Sequence, residues 1–134
     1  LGIGDRLDRW TPAETALAAR MIADYKSMRE TVQQGDLYRL ISPQDGAGRS
    51  ATLSVAADRR QAVLFAFSHA KPLAMPLPLR GLDPARLYRA RMAGGDPLPP
   101  GVPNEASGAD WMARGATIPL AGDYQAAALI LEAS

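Results

Sequence analysis

A capped helix that leads directly into strand-like sequence is the feature that most constrains this fold. Thr11 suits the N-cap of that helix, Pro12 its first position and Glu14 the third position of a capping box. Apolar residues then recur every three or four positions over residues 17–32, which predicts one buried face. Gly35 is predicted to end the helix in the left-handed conformation. A helix of about 23 residues is about twice the usual length, so its apolar face needs a large partner.

Beyond Gly35 the apolar residues alternate, as they do in strands, and the helical period does not return. Residues 57–60 have the length of a hairpin connection, so the strands on either side should pair antiparallel. Prolines in residues 71–78 restrict that segment to an edge strand or a connector, and residues 94–108 read as a long surface loop. Strands are predicted at 37–41, 50–56, 61–69, 86–92, 117–120 and 124–132, the last in a central position.

This order of elements argues against alternating strand and helix units. We therefore predict a mainly β fold, an antiparallel β-sandwich preceded by one long N-terminal α-helix. The 134 residues fit one such domain.

The composition argues against several classes of function. Lys and Arg total 15 against 14 for Asp and Glu, so a net charge of +1 gives no reason to expect a nucleic acid or a membrane as partner. The chain has no Cys, which excludes disulfides and thiolate zinc sites and fits the cytoplasm. No apolar run approaches the roughly 20 residues that span a bilayer. Neither a metal nor a cofactor is expected.

Short motifs follow one another along nearly the whole chain. They are Leu1–Asp8; Ile22-Ala23-Asp24-Tyr25-Lys26 with Arg29, Gly35 and Tyr38-Arg39-Leu40; Leu79-Arg80-Gly81-Leu82-Asp83-Pro84 with Tyr88; Ser107-Gly108 with Trp111-Met112, Gly115 and Ile118-Pro119-Leu120; and the apolar strand 126–131. In this order they resemble the C-terminal region of the α-galactosidases of glycoside hydrolase family 36. Ala116, where the family more often has Leu, and loop 94–103 depart from that pattern.

The resemblance implies that residues 1–35 are the terminal segment and last helix of a missing (β/α)₈ barrel, and that residues 36–134 are the C-terminal β-sandwich domain. The chain, which starts at Leu1 without Met, is then expected to be part of a longer, bacterial enzyme that hydrolyses α-galactosides with retention. The family takes its nucleophile from a Lys-Trp-Asp motif, and this sequence has none; Trp10 and Trp111 stand in other contexts. We therefore predict no catalytic, cofactor-binding or metal-binding residue here. The upstream barrel is the expected partner, and the apolar helix face is a possible homo-oligomer contact.

Other chemistry-bearing residues favour structural interpretations. His69 lacks a Ser-Asp framework, Asp5 and Asp8 lie beside Arg residues, and Ser50 and Ser54 lack a nucleophile elbow. The loop Gly46-Ala47-Gly48 lacks the Lys and the helix of a phosphate loop. Tyr88 and Trp111 could stack on a sugar, although a place in the core is the simpler interpretation. Two alternative functions stay open: a carbohydrate-binding module and a free-standing assembly domain.

Overall fold

The computed structural model describes residues 6–134, so the predictions for Leu1–Asp8 lie largely outside the described residues. A short 3-10 helix, Leu7–Arg9, precedes helix α1, which spans Pro12–Gln34. The predicted capping box is present: the backbone N–H of Glu14 donates to Thr11 Oγ1 over 3.2 Å, and that of Thr11 donates to Glu14 Oε2 over 2.7 Å. Because two otherwise unpaired N–H groups are satisfied locally, the sequence itself fixes where α1 begins.

Gly35 ends α1 as predicted, but the predicted left-handed conformation is wrong. Its φ is −75° and its ψ 170°, which is extended backbone. The need for glycine is steric, since a Cβ at this position would lie 2.5 Å from the carbonyl oxygens of Thr31 and Val55. The turn from helix to sheet is therefore tight because the end of α1 lies directly against a neighbouring strand.

The described residues form one antiparallel sheet of six strands. The strands are β1 Asp36–Ile41, β2 Arg49–Val55, β3 Gln61–Ser68, β4 Leu87–Met92, β5 Glu105–Ser107 and β6 Gln125–Ala133. Their order in the sheet is β1-β2-β3-β6-β4-β5. Strand β6 lies between β3 and β4, so the prediction that the last apolar run is central is confirmed.

One face of the sheet carries the main core. Leu53, Leu64 and Leu129 pair across β2, β3 and β6 and are fully buried. Two extended segments cover them, joined to each other by bridges from Leu73 to Leu120 and from Leu77 to Ala116. This irregular second layer gives the fold a sandwich-like form, and the predicted mainly β class with a long N-terminal helix is confirmed.

Two elements of the C-terminal half differ from the sequence prediction. The predicted loop 94–108 contains strand β5, and helix α2, Gly108–Arg114, follows it. The predicted strand 117–120 is instead an extended segment held by isolated bridges. Such a segment still completes the second layer, because the bridges satisfy its backbone groups at the points where it crosses the core.

Helix α1 packs on the opposite face of the sheet. Met28 of the helix meets Val63 and Ile130, which pair with each other across β3 and β6. Tyr25 and Val32 flank this small second core. The order of layers is therefore helix, sheet and irregular layer.

Candidate functional site

The junction between α1 and the sheet gathers charged side chains from distant parts of the chain. Arg91 Nη1 donates to Asp24 Oδ1 over 2.5 Å, and the backbone N–H of Gly94 donates to Asp24 Oδ2 over 2.7 Å. Arg91 Nη2 lies 3.1 Å from Ser27 Oγ, to which it donates, and 3.5 Å from Glu132 Oε1. We call these five residues the helix clamp. Because both oxygens of Asp24 are engaged, the clamp fixes the rotation of α1 as well as its distance from the sheet.

The charges of the clamp stabilise each other. Partial burial alone would raise the pKa of Asp24, but the Gly94 N–H and Arg91 outweigh it, and the pKa of this carboxyl lies below its ordinary value. Burial likewise acts to lower the pKa of Arg91, and its bonds and charge contacts with Asp24 and Glu132 raise it instead. The clamp therefore holds an ion pair at neutral pH, which is a structural arrangement and offers no free base.

A second polar contact lies one turn further along α1. Thr31 Oγ1 donates to Gln61 Oε1 over 2.5 Å, and Gln61 Nε2 donates to the carbonyl of Ser27 over 3.2 Å. These bonds and the clamp together hold the C-terminal half of α1 against β3, β4 and β6.

The N-terminal half of α1 is held much less. Every residue from Pro12 to Arg20 is exposed, apart from Ala18, which is half-buried. Leu17 is 47% and Met21 44% exposed. These two side chains form one wall of a groove of about 330 Å³, which we call the apolar groove. It is completed by Phe65, Phe67 and Ala126–Ala128 of the sheet, and by Met92, Ala93, Gly94 and Asp96 at the end of β4 and just after it. The predicted apolar face of the helix is thus covered at one end only.

The two aromatic candidates for sugar stacking belong to the core. Trp111 is 1% exposed, and its Nε1 donates to the carbonyl of Tyr88 over 3.3 Å. Tyr88 is fully buried; its hydroxyl donates to the carbonyl of Arg59 over 2.6 Å and accepts from the N–H of Asp83 over 3.0 Å. Neither ring presents a face to solvent, so a sugar cannot stack on either of them.

The other predicted candidates are not brought together into a site. Asp8 pairs with Arg6 over 2.8 Å at the surface, whereas Asp5 lies outside the described residues. Ser50 and Ser54 lie on β2, and the latter is buried. The carbonyl of Gly48 accepts from the N–H of His69 over 2.7 Å, one position beyond the Arg49–Ser68 pair, so the glycine loop continues the pairing of β2 with β3.

Tyr124, which the sequence reasoning did not single out, is the most exposed large apolar residue of the described chain, at 84%. It and Asp123 both have a φ of 59°, in the left-handed region that bulky residues avoid. Its ring lies edge-on to that of His69, with 6.2 Å between the centroids. No simple sequence signal marks such a residue, because its exposure depends on where the turn before β6 falls.

Residues 6–134 contain neither a candidate metal site nor a candidate membrane-spanning helix. In this range, no group of three or more His, Asp and Glu side chains is placed to hold a metal ion. None of the described helices combines the length and the apolarity needed to cross a bilayer.

The sequence matches a known family model over most of the sheet. The model described as "Glycosyl hydrolase family 36 C-terminal domain" matches residues 49–131. This range runs from β2 almost to the end of β6 and includes the irregular second layer.

The chain is also similar to curated enzymes that are much longer. It is 34% identical over 98 residues to alpha-galactosidase AgaA of Geobacillus stearothermophilus, a match that covers 69% of this chain and 13% of that enzyme. It is 30% identical over 105 residues to alpha-galactosidase Mel36A of Lactobacillus acidophilus, covering 73% of this chain and 14% of the enzyme. The chain thus spans about one seventh of the length of these relatives.

The crystal structure of a third enzyme, the GH36 alpha-galactosidase AgaB of G. stearothermophilus, resembles this chain in fold. The TM-score is 0.72 at 30% sequence identity, and the match covers 96% of this chain and 17% of that one. A match of that extent includes α1 as well as the sheet.

Proposed function

This chain belongs to the glycosyl hydrolase family 36 C-terminal domain family, and on that premise we propose that it is the non-catalytic closing domain of a larger α-galactosidase-like enzyme. Residues 1–35 would be the end of the catalytic (β/α)₈ barrel, and residues 36–134 the domain that stabilises the barrel or its oligomer. The complete enzyme would hydrolyse α-galactosides with retention of configuration, in the cytoplasm. Cleavage itself would be carried out by carboxylates of the barrel.

The observation that carries the proposal is the unequal burial of α1. A helix of 23 residues is about 35 Å long, yet the sheet holds only its C-terminal half. Leu17 and Met21 lie one helical turn apart and are both exposed, and neighbouring exposed apolar side chains of this kind are a feature of interfaces. The helix clamp would fix the position of the sheet relative to the barrel, because it holds α1 rigidly against β4 and β6.

Deletion of residues 36–134 from the complete enzyme tests this role. We expect the truncated enzyme to lose thermal stability and soluble yield, because α1 would lose Val63 and Ile130 as packing partners. The measurement is the temperature of half-inactivation with a chromogenic α-galactoside, and the 134-residue chain assayed alone should release no product. A truncated enzyme as stable as the complete one would contradict the structural role, and hydrolysis by the chain alone would contradict the non-catalytic one.

Tyr124 supports carbohydrate binding as a second candidate function. A ring that is 84% exposed, beside the imidazole of His69, offers a flat face of the kind on which sugars stack. Titration of the labelled chain with galactose and melibiose, followed through its backbone amide shifts, tests this function. Saturable shifts at residues 123–125 that disappear in Tyr124→Ala would establish binding, whereas unchanged shifts up to millimolar sugar would exclude it.

A further inference from the structure

A cavity with a polar lining lies where the last turns of α1 face the hairpin between β2 and β3. Its volume is about 420 Å³, in the usual range of about 300–1,000 Å³ for small-molecule sites. The helix contributes Ser27, Glu30 and Gln34, which are three and four positions apart and so share one face. The hairpin contributes Asp58 and Arg60. None of the residues that line this cavity, which we call the polar cavity, also lines the apolar groove.

Three polar side chains of this lining are not used by the fold. Within the described chain, the side chains of Glu30, Gln34 and Arg60 make neither a hydrogen bond nor an ion pair. Glu30 and Arg60 carry opposite charges and line the same cavity, yet they do not pair with each other. All three residues are exposed. Their donors and acceptors are therefore available to a molecule that lies between them.

The backbone that carries these side chains is held in place by hydrogen bonds. Thr31 is buried and donates to Gln61, whose Nε2 donates in turn to the carbonyl of Ser27. On the hairpin, Asp58 Oδ1 accepts from the backbone N–H of Arg60 over 2.9 Å, which fixes the turn. Because both walls of the polar cavity are fixed before a ligand arrives, binding requires little ordering of the backbone.

The charges of the lining argue against an anionic ligand. Glu30 and Asp58 both carry carboxylates, and Arg60 is the one cation among the described residues that line the polar cavity. The last turn of α1 carries no basic residue, so the negative end of the helix dipole is not offset within the helix. A phosphate or a carboxylate ligand would therefore meet a net negative field.

Large apolar ligands are disfavoured as well. Among the described residues of the lining there is no aromatic ring, and the apolar side chains are those of Ala56 and Ala57. A neutral molecule with several hydroxyl groups fits this lining better. Each hydroxyl can donate to a carboxylate and accept from the N–H groups of a guanidinium or an amide.

We propose that the polar cavity binds a neutral polyhydroxylated molecule, a mono- or oligosaccharide. Glu30 and Asp58 accept from its hydroxyl groups, and Arg60 donates to them. The inference goes beyond the proposed function, and the choice of a galactoside as the probe is the part that rests on that function.

This site differs in position from the exposed ring of Tyr124. Gln61, which lines the polar cavity, pairs with Glu132 at one end of β3 and β6. Ser68 pairs with Gln125, the neighbour of Tyr124, at the opposite end of the same two strands. Binding at the two places can therefore be distinguished by which backbone amides respond.

Titration of the isotope-labelled 134-residue chain with melibiose, followed through its backbone amide shifts, tests this site. We expect saturable shifts at residues 27–35 and 56–61. Arg60→Gln and Glu30→Gln should each weaken the affinity about ten-fold, because each removes a charge-assisted hydrogen bond. Their unfolding midpoints should stay unchanged, since neither side chain has a partner among the described residues. Arg59→Gln, at the exposed neighbouring position outside the lining, is the matched control and should keep the affinity of the unaltered chain.

Each of four other results would overturn the inference. Shifts confined to residues 123–125 would place the sugar at Tyr124. Equal affinities of Arg60→Gln, Glu30→Gln and the control would show that these side chains do not contact the sugar. Inorganic phosphate that moves the same amides as melibiose would identify an anion site. The absence of saturable shifts even at high millimolar melibiose would exclude sugar binding, and the structural role of the domain would still stand, because the truncated enzyme tests it separately.

Discussion

At the scale of single residues, two glycines of this fold are required by the close approach of neighbouring backbone and not by a left-handed conformation. Gly35 has ordinary extended angles, and Gly108 begins α2, where a Cβ would lie 2.0 Å from the carbonyl oxygen of Asp83. Asp123 and Tyr124 show the converse, because they adopt the left-handed region although they carry side chains. Strain of this kind costs about 1–3 kcal/mol per residue and must be compensated by the surrounding structure.

The steric role of Gly35 can be tested by replacement with alanine. The added methyl group would lie 2.5 Å from two carbonyl oxygens, so α1 and β2 must move apart. We expect a loss of about 1–3 kcal/mol in the free energy of unfolding, measured by urea denaturation of the chain. Gln34→Ala, at the exposed neighbouring position, should have little effect. A Gly35→Ala variant as stable as this control would show that the backbone approach is not tight.

At the scale of elements, the helix clamp determines where α1 lies. Its contacts join residues far apart in sequence, since Asp24 and Arg91 are 67 positions apart. The apolar contact beneath it is small, with Met28, Val63 and Ile130 as its buried members. Orientation of the helix therefore depends on hydrogen bonds with fixed geometry, in addition to an apolar surface that could tolerate sliding.

The clamp should make stability depend on pH in a defined direction. Because the pKa of Asp24 is lowered in the folded state, its contribution is complete above the unfolded value of about 3.9 and is lost as the pH falls through the folded value. We expect Asp24→Asn to cost about 1.5–3 kcal/mol near pH 7, and the difference from the unaltered chain to shrink below about pH 4.

Thermal unfolding of both proteins between pH 3 and pH 7 measures this dependence. Asp45→Asn, at an exposed loop position, is the control and should follow the unaltered chain at every pH. A constant difference between Asp24→Asn and the unaltered chain across the whole range would show that the carboxylate charge contributes nothing.

At the scale of the whole molecule, the chain has two apolar surfaces with different roles. The core between the sheet and the irregular layer is closed and contains Trp111 and Tyr88. The apolar groove on the other side stays open, with Leu17 and Met21 exposed. The described residues therefore combine one closed apolar core with one apolar groove that is open to solvent.

Much of this architecture follows from local sequence signals. The capping box of Thr11 and Glu14 sets the start of α1, and alternation of side chains indicates the strands, since both act over a few residues. Helix α2 is not predicted from the sequence, although Ser107 caps it, with Oγ accepting from the N–H of Asp110 over 3.1 Å, and Gly115 ends it at a φ of 71°. These signals lie in a stretch of glycine that reads as loop, and the helix is short.

The sequence by itself therefore predicted helix α1, strands β1 to β4 and β6, and the resemblance to the family, but not β5 or α2. Only the tertiary structure placed β6 between β3 and β4, brought Arg91 to Asp24 and left the apolar groove open. The physical reason is the distance along the chain over which each interaction acts. Caps, turns and periodicity depend on neighbours within a few residues, whereas strand order and side-chain contacts depend on pairings between distant segments. Burial at the groove is a property of those pairings, so residues with the same helical pattern, Met28 and Met21, end in the core and at the surface.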